Sequence, residues 1–185
     1  MIIQQVSPWL PHRDRNNAPE MIVLHATAGS SAASSIAHLR SVGLSYHFII
    51  ARDDKDTSKS ENATGKPPIV FHCVPVMDHA FHVGSTINAP SGHQINKASV
   101  GVTLANIQRK TNPEPYPTQQ IEALNELIKL ILLQAPSIRF LTTHAVVQPW
   151  NRADPLGIDG PAIAAQHGLT FFRPTAQQIR DHKPK

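Results

Sequence analysis

A single cysteine, Cys73, leaves the chain no intramolecular disulfide. Its place in the apolar run Ile69-Val70-Phe71-His72-Cys73-Val74 suits a small buried hydrophobe, and it carries no information about compartment. The first twenty residues lack a charged start followed by an apolar core of roughly 7 to 15 residues, so neither a secretory leader nor a membrane span is expected there. Glycine is sparse and without period, and 41% of residues are hydrophobic, which excludes collagenous and disordered classes. Aromatic residues are few as well. At 185 residues the chain makes one domain that buries roughly 70% of its unfolded surface, enough to fold without a disulfide or structural metal.

What the chain has in number is histidine, eleven against thirteen acidic residues, so site chemistry is expected to use imidazole. The formal charge of +4 favours acidic partners without specifying one. Its basic residues are scattered and form no recognition motif, so nucleic acid is not an expected partner.

The pattern predicts alternating strands and helices. Met21 to Leu24 is a short apolar run that delivers His25 into the small residues Ala-Thr-Ala-Gly. Ser30 or Ser31 caps a helix over 31 to 42, closed by Gly43. Residues 45 to 51 read as a strand covered on both faces, with Tyr46, Phe48 and Ile50 on one side and His47 on the other. A polar loop spans 53 to 68, strands follow at 69 to 74 and 98 to 105, and a second loop covers 83 to 97. Thr118 caps a long helix that ends at Pro136, with Ile121, Leu124, Leu127, Ile128, Ile131 and Leu132 on one stripe. A strand over 138 to 143 delivers His144, and 161 to 166 forms a last short helix. This predicts an α/β fold, a single domain with a mixed central sheet flanked by helices. Residues 1 to 20 are expected to form an N-terminal extension, 21 to 172 the main folded domain, and 173 to 185 a polar tail.

His25 and His144 both leave a strand for a loop, where α/β folds place catalytic groups. Asp154 lies ten residues beyond His144, in a proline-punctuated loop able to fold back. Two histidines and a carboxylate can hold zinc and leave its fourth position to a water whose pKa falls to about 7. On residue types and spacing alone, polar loop residues without a metal remain the alternative.

The segments IVLHATAG, SYHFIIARD, AFHVG, SVGVTLAN and LTTHAVV…RADP, taken in this order, resemble the type 2 N-acetylmuramoyl-L-alanine amidases, over residues 21 to about 157. That family includes peptidoglycan amidases, phage lysozyme amidases and peptidoglycan recognition proteins. The resemblance implies a zinc site of His25, His144 and Asp154, the last matching a position that is Cys in some members and Asp in the cell-wall recycling and related branch. Tyr46 matches a tyrosine beside the metal, and Arg152 matches a lysine thought to assist catalysis. Arginine stays protonated, so Arg152 is expected to stabilise an oxyanion and not to shuttle a proton. Thr103 stands where the Asp-ligand branch usually carries a glutamate base, so proton transfer falls to Tyr46 or to the water itself. His82 lines the substrate site or is structural, and Thr103 is grouped with it as substrate-binding. The implied activity is cleavage of the lactyl to L-alanine amide of peptidoglycan or muropeptides by a monomer. The alternatives are a non-catalytic peptidoglycan-binding module, which Thr103 favours, and a phage-type endolysin.

Overall fold

The computed structural model describes residues 1–14, 18–29, 31–56, 66–108 and 114–184. A seven-stranded mixed sheet forms its centre, built from β1 (Ile2–Gln5), β3 (Met21–Ala26), β4 (Phe48–Ile50), β5 (Ile69–His72), β7 (Ser99–Leu104), β8 (Phe140–Thr143) and β9 (Thr170–Phe171). Their order is β1-β5-β4-β7-β3-β8-β9, and only the β4–β5 pair is antiparallel. A separate two-stranded ribbon joins β2 (His12–Arg13) to β6 (His79–Ala80). The helices are α1 (Ala32–Val42), α2 (Thr118–Gln134), α3 (His144–Val147), α4 (Gly160–Gln166) and α5 (Ala176–His182). Among the described residues no helix is long and apolar enough to cross a membrane.

Strand pleating sorts side chains to two faces. Ile22, Leu24, Val100, Val102 and Leu104 point to one face, where Leu124, Leu127, Ile128 and Ile131 of α2 cover them. The central strands β3 and β7 are buried along their whole length, which explains their continuous apolar character. On the opposite face, Met21 and Val23 pack against Ile87, Ile95 and Val147, and Ile49 and Cys73 against α1. Burial pushes the Cys73 thiol up to about 12, so it behaves as the small hydrophobe its surroundings require.

Several boundaries differ from those the sequence predicts. Ser31 caps α1 through Ser34 N–H, as expected of one of the two serines, whereas Ser30 lies outside the described residues. The α2 cap position is Pro117 and Thr118 is already helical, because proline's fixed φ suits a helix entrance. His144 does not enter a loop but starts α3, and α4 is followed by α5. The N-terminal extension supplies β1, an edge strand paired in parallel with β5. The expected loop at 53 to 68 lies mostly outside the described residues.

One difference affects the site. β4 begins only at Phe48, and the expected alternation breaks just before it. Phe48 and Ile50 face the α2 core, while Tyr46 packs with Ile49 and Ala51 on the other face. His47 is also not set apart from Tyr46, since both rings lie within 6.5 Å of the His82 ring. The His47 ring is held by two hydrogen bonds, its Nδ1 accepting from Gly101 N–H at 2.9 Å and its Nε2 donating to Asp78 O at 3.0 Å, while its backbone still bonds Gly101 O and Cys73 N–H.

Candidate metal centre

The register between β3 and β8 pairs Leu24 with Thr143, which brings His25 and His144 to adjacent positions at the carboxyl ends of neighbouring parallel strands. Their ring centroids are 4.5 Å apart. The loop after α3 folds back so that Asp154 O accepts from Ala145 N–H at 2.9 Å, and Asp154 Oδ2 accepts from Ala26 N–H at 3.3 Å. These two bonds, one to its backbone carbonyl and one to its carboxylate, tie Asp154 to both strand ends. His144 Nδ1 lies 3.1 Å from Asp154 Oδ1, and His25 Nδ1 lies 3.7 Å from Asp154 Oδ2. One donor atom from each of the three residues lies within 4.8 Å of the others.

The far sides of both rings are occupied. His25 Nε2 is 3.0 Å from His82 Nδ1, and His144 Nε2 is 3.2 Å from Gln148 Oε1, whose amide nitrogen donates to Asn151 Oδ1 at 2.7 Å. With Nε2 of each histidine engaged, both Nδ1 atoms turn toward Asp154. His25 Nδ1 is fully buried and has no hydrogen-bond partner, an expensive state for an imidazole nitrogen unless something binds there. Burial, reinforced by His144, His82 and Arg152, holds the His25 imidazole well below its ordinary pKa and therefore neutral, the form that ligates a metal. The orphaned nitrogen of a neutral His25, a second histidine and a single carboxylate fit a small divalent cation such as zinc.

His144 and Asp154 line a cleft of about 380 Å³ together with Tyr46, His82, Gly84, Gln108 and Arg152 among others, and fully buried His25 lies behind them. The Tyr46 ring lies tilted against His25, with centroids 4.9 Å apart. Burial and the Asp154 charge push its phenol above the ordinary value, so it stays protonated and able to donate a hydrogen bond. Arg152 is exposed at the rim. Thr103 pairs with His25 across β3 and β7 but is fully buried, does not line the cleft, and leaves its hydroxyl without a partner. His82 is 6% exposed and borders the cleft while touching His25 behind it.

Four residues of this centre escape the motif reading. Gln148 follows His144 by one helical turn, a spacing that puts both on one face of α3. Ser99 and Gly101 alternate with Val100 and Val102 on β7, so small residues face the site while valines face the core. Gln108 accepts from Leu156 N–H and donates to Asn106 and Tyr116, bracing the loop that carries Asp154. Several of the other histidines have local partners. His72 stacks on Phe48 at 4.6 Å, His167 bonds Asn125, and His12 pairs with Asp14 and Asp78 in a more exposed group.

His47 gives the centre a pH dependence of stability. Burial pushes its imidazole down to about 4, partly offset by the bond to Asp78 O. Between pH 4 and the unfolded value of about 6.5 the unfolded chain binds a proton that the folded chain refuses, so stability falls as pH drops through that window. The expected contribution of His47 alone is a loss of about 3 kcal/mol from pH 7 to pH 4. Urea unfolding of metal-free protein at several pH values reads it, and His47→Asn is expected to show a shallower dependence. A slope identical in both proteins would contradict burial of a neutral His47.

A family model described as N-acetylmuramoyl-L-alanine amidase matches residues 15–157. Among solved structures, AmpDh3 of Pseudomonas aeruginosa is 25% identical with a TM-score of 0.68, the match covering 98% of this chain and 72% of that one. That protein has also been solved in complex with anhydromuramic pentapeptide. AmiD of E. coli, solved with anhydro-N-acetylmuramic acid-L-Ala-D-gamma-Glu-L-Lys, shares the fold at 23% identity and a TM-score of 0.63, covering 96% of this chain and 65% of that one. A mutant endolysin from Bacillus subtilis shares it at 17% identity and a TM-score of 0.57, covering 91% and 99%. No curated protein matches the chain.

Proposed function

The chain belongs to the N-acetylmuramoyl-L-alanine amidase family, and from that premise we propose that it is a zinc-dependent hydrolase of the amide joining the lactyl group of N-acetylmuramic acid to L-alanine. The observation that carries the reading is the buried, unpartnered His25 Nδ1 facing Asp154 beside His144 Nδ1. Zinc held by His25, His144 and Asp154 supplies, when bound, Lewis acidity toward the lactyl carbonyl and toward a water.

The remaining work falls to groups of the chain. Tyr46, kept protonated, donates a hydrogen bond to the carbonyl oxygen as it gains negative charge. It is therefore a donor and not the starting base. Arg152 presents permanent positive charge at the cleft mouth, suited to the same oxyanion or to a stem-peptide carboxylate. Among the described residues the cleft has no carboxylate besides Asp154, so the departing alanine nitrogen takes its proton from the attacking water. The amide C–N bond breaks as a C–O bond forms, and a free carboxylate and amine result. Buried Thr103 takes no part in proton transfer.

The muropeptides bound to AmpDh3 and AmiD support an anhydro-muropeptide as test substrate. Incubated with it, the purified protein is expected to release free stem peptide, read by chromatography and mass spectrometry, and to contain about one equivalent of zinc. A chelator should stop release and added zinc should restore it. Release that persists in chelator sinks the zinc reading, whereas binding without release or zinc establishes a binding module.

A further inference from the structure

We propose that His82 is a positioning residue that fixes the tautomer of His25 through a one-way hydrogen-bond chain ending at the Ile95 carbonyl. The inference rests on the reading of His25 as a metal ligand. It concerns what holds that ligand in its ligating form.

The direction of the chain follows from its closed end. A backbone carbonyl only accepts, so Ser99 O–H donates to Ile95 O. The Ser99 oxygen, its hydrogen committed, accepts from His82 Nε2 at 3.0 Å. The aromatic rings against His82 are those of His25, Tyr46 and His47, none of them anionic, so a neutral imidazole with its proton on Nε2 satisfies the site. Its Nδ1 then carries a lone pair and accepts from His25 Nε2 at 3.0 Å. His25 is left with a bare Nδ1, the atom facing Asp154.

A second observation shows that the ring position is built. A Cβ on Gly101 would fall 2.6 Å from His82 Cγ, so β7 leaves out a side chain where the imidazole lies. The backbone is held as well, because Asn96 Oδ1 accepts from the N–H groups of His82 and Val83 at 3.2 and 3.1 Å, and Asn96 Nδ2 donates to Val83 O at 2.9 Å. Metal-bound histidines usually donate their second N–H to a carboxylate, carbonyl or water. An imidazole acceptor draws less on that proton than a carboxylate, which leaves His25 the less basic ligand and the bound metal the more electrophilic.

Two readouts test the proposal. In metal-free protein, long-range nitrogen–proton NMR of the imidazoles should place the His25 proton on Nε2, and His82→Leu should give a mixture of tautomers. Zinc affinity by chelator competition should fall about 10- to 100-fold in His82→Leu. It should largely recover in His82→Asn, whose amide oxygen takes the place of Nδ1. Where His82→Leu does not fold, Ser99→Ala removes only the acceptor for His82 Nε2 and is expected to weaken zinc several-fold with the same tautomer mixing. A His25 proton found on Nδ1 in the wild type, or folded His82→Leu with wild-type zinc affinity, overturns the relay. Wild-type protein that binds no zinc overturns the function proposed above, while the NMR measurement still decides the relay.

Discussion

Asp154→Ala is expected to lower amide hydrolysis by at least about 10³-fold, because a metal's stabilisation of developing charge is worth several kcal/mol at about 1.4 kcal/mol per decade. Zinc content should drop from one equivalent to nearly none. The size of the effect follows from the donor set, which contains two imidazoles and only one negative charge. Removing Asp154 also removes the acceptor for Ala26 N–H, so alanine alone cannot separate charge from tethering. Asp154→Asn does separate them, because the amide oxygen can still accept from Ala26 while the charge is gone. Zinc loss in both variants locates the effect in the carboxylate charge. An Asp154→Asn protein that keeps its zinc and its turnover would remove this residue from the ligand set.

The second large effect is one of stability. Arg52 has a side chain only 1% exposed, and its Nη1 lies 2.6 Å from Glu114 Oε2. The contact is poorly aligned for a hydrogen bond and acts chiefly through charge, with Nη2 reaching Pro115 O at 3.4 Å. Glu114→Ala would strand a buried guanidinium, at a cost of about 3 kcal/mol or more. Replacing both partners by apolar residues, Arg52→Met with Glu114→Leu, should recover most of that loss, since the destabilisation comes from the unpaired charge. Chemical unfolding of the two single variants and the double variant measures the coupling. A Glu114→Ala cost below about 0.5 kcal/mol would place the pair with solvent-screened surface contacts. The same glutamate accepts from Ile107 N–H, and its carbonyl accepts from Asn106, which bonds Gln108. Its loss should therefore loosen the loop that carries Asp154 and weaken zinc binding.

The parts of this site that a sequence shows are those tied to local punctuation. Apolar runs that end in His25 and before His144 mark strand ends, and the two fall side by side because β3 and β8 pair in parallel. Gly43 ends α1 at φ 73°, as its position after an apolar helical stripe requires. Harder to see are features whose cause lies elsewhere in the chain. β1 is exposed along all four residues and has no alternation to betray it, so only its pairing with β5 defines it as a strand. Tyr46 leaves the pleat to pack beside Ile49 and Ala51, and its neighbour His47 bonds Gly101 and Asp78, partners far away in sequence. The relay through His82 and Ser99 joins strands β3 and β7 by way of the loop that carries His82, and the gap at Gly101 has meaning only once His82 fills it. Alternation of Ser99, Gly101 and Thr103 with Val100, Val102 and Leu104 was the one local trace of that floor.

The position of β3 in the sheet also sets an order on how the protein is made. Its two neighbours, β7 and β8, come from far downstream, with Met21 paired to Ser99 on one side and to Phe140 on the other. During synthesis β3 waits without either flank until most of the chain has emerged, and such long-range parallel pairing forms slowly. His25, His144 and Asp154 come together only when residue 154 has left the ribosome and its loop has closed. A nascent chain therefore lacks the proposed centre until its fold is nearly whole, and a fragment ending before β8 leaves an apolar strand bare to aggregation.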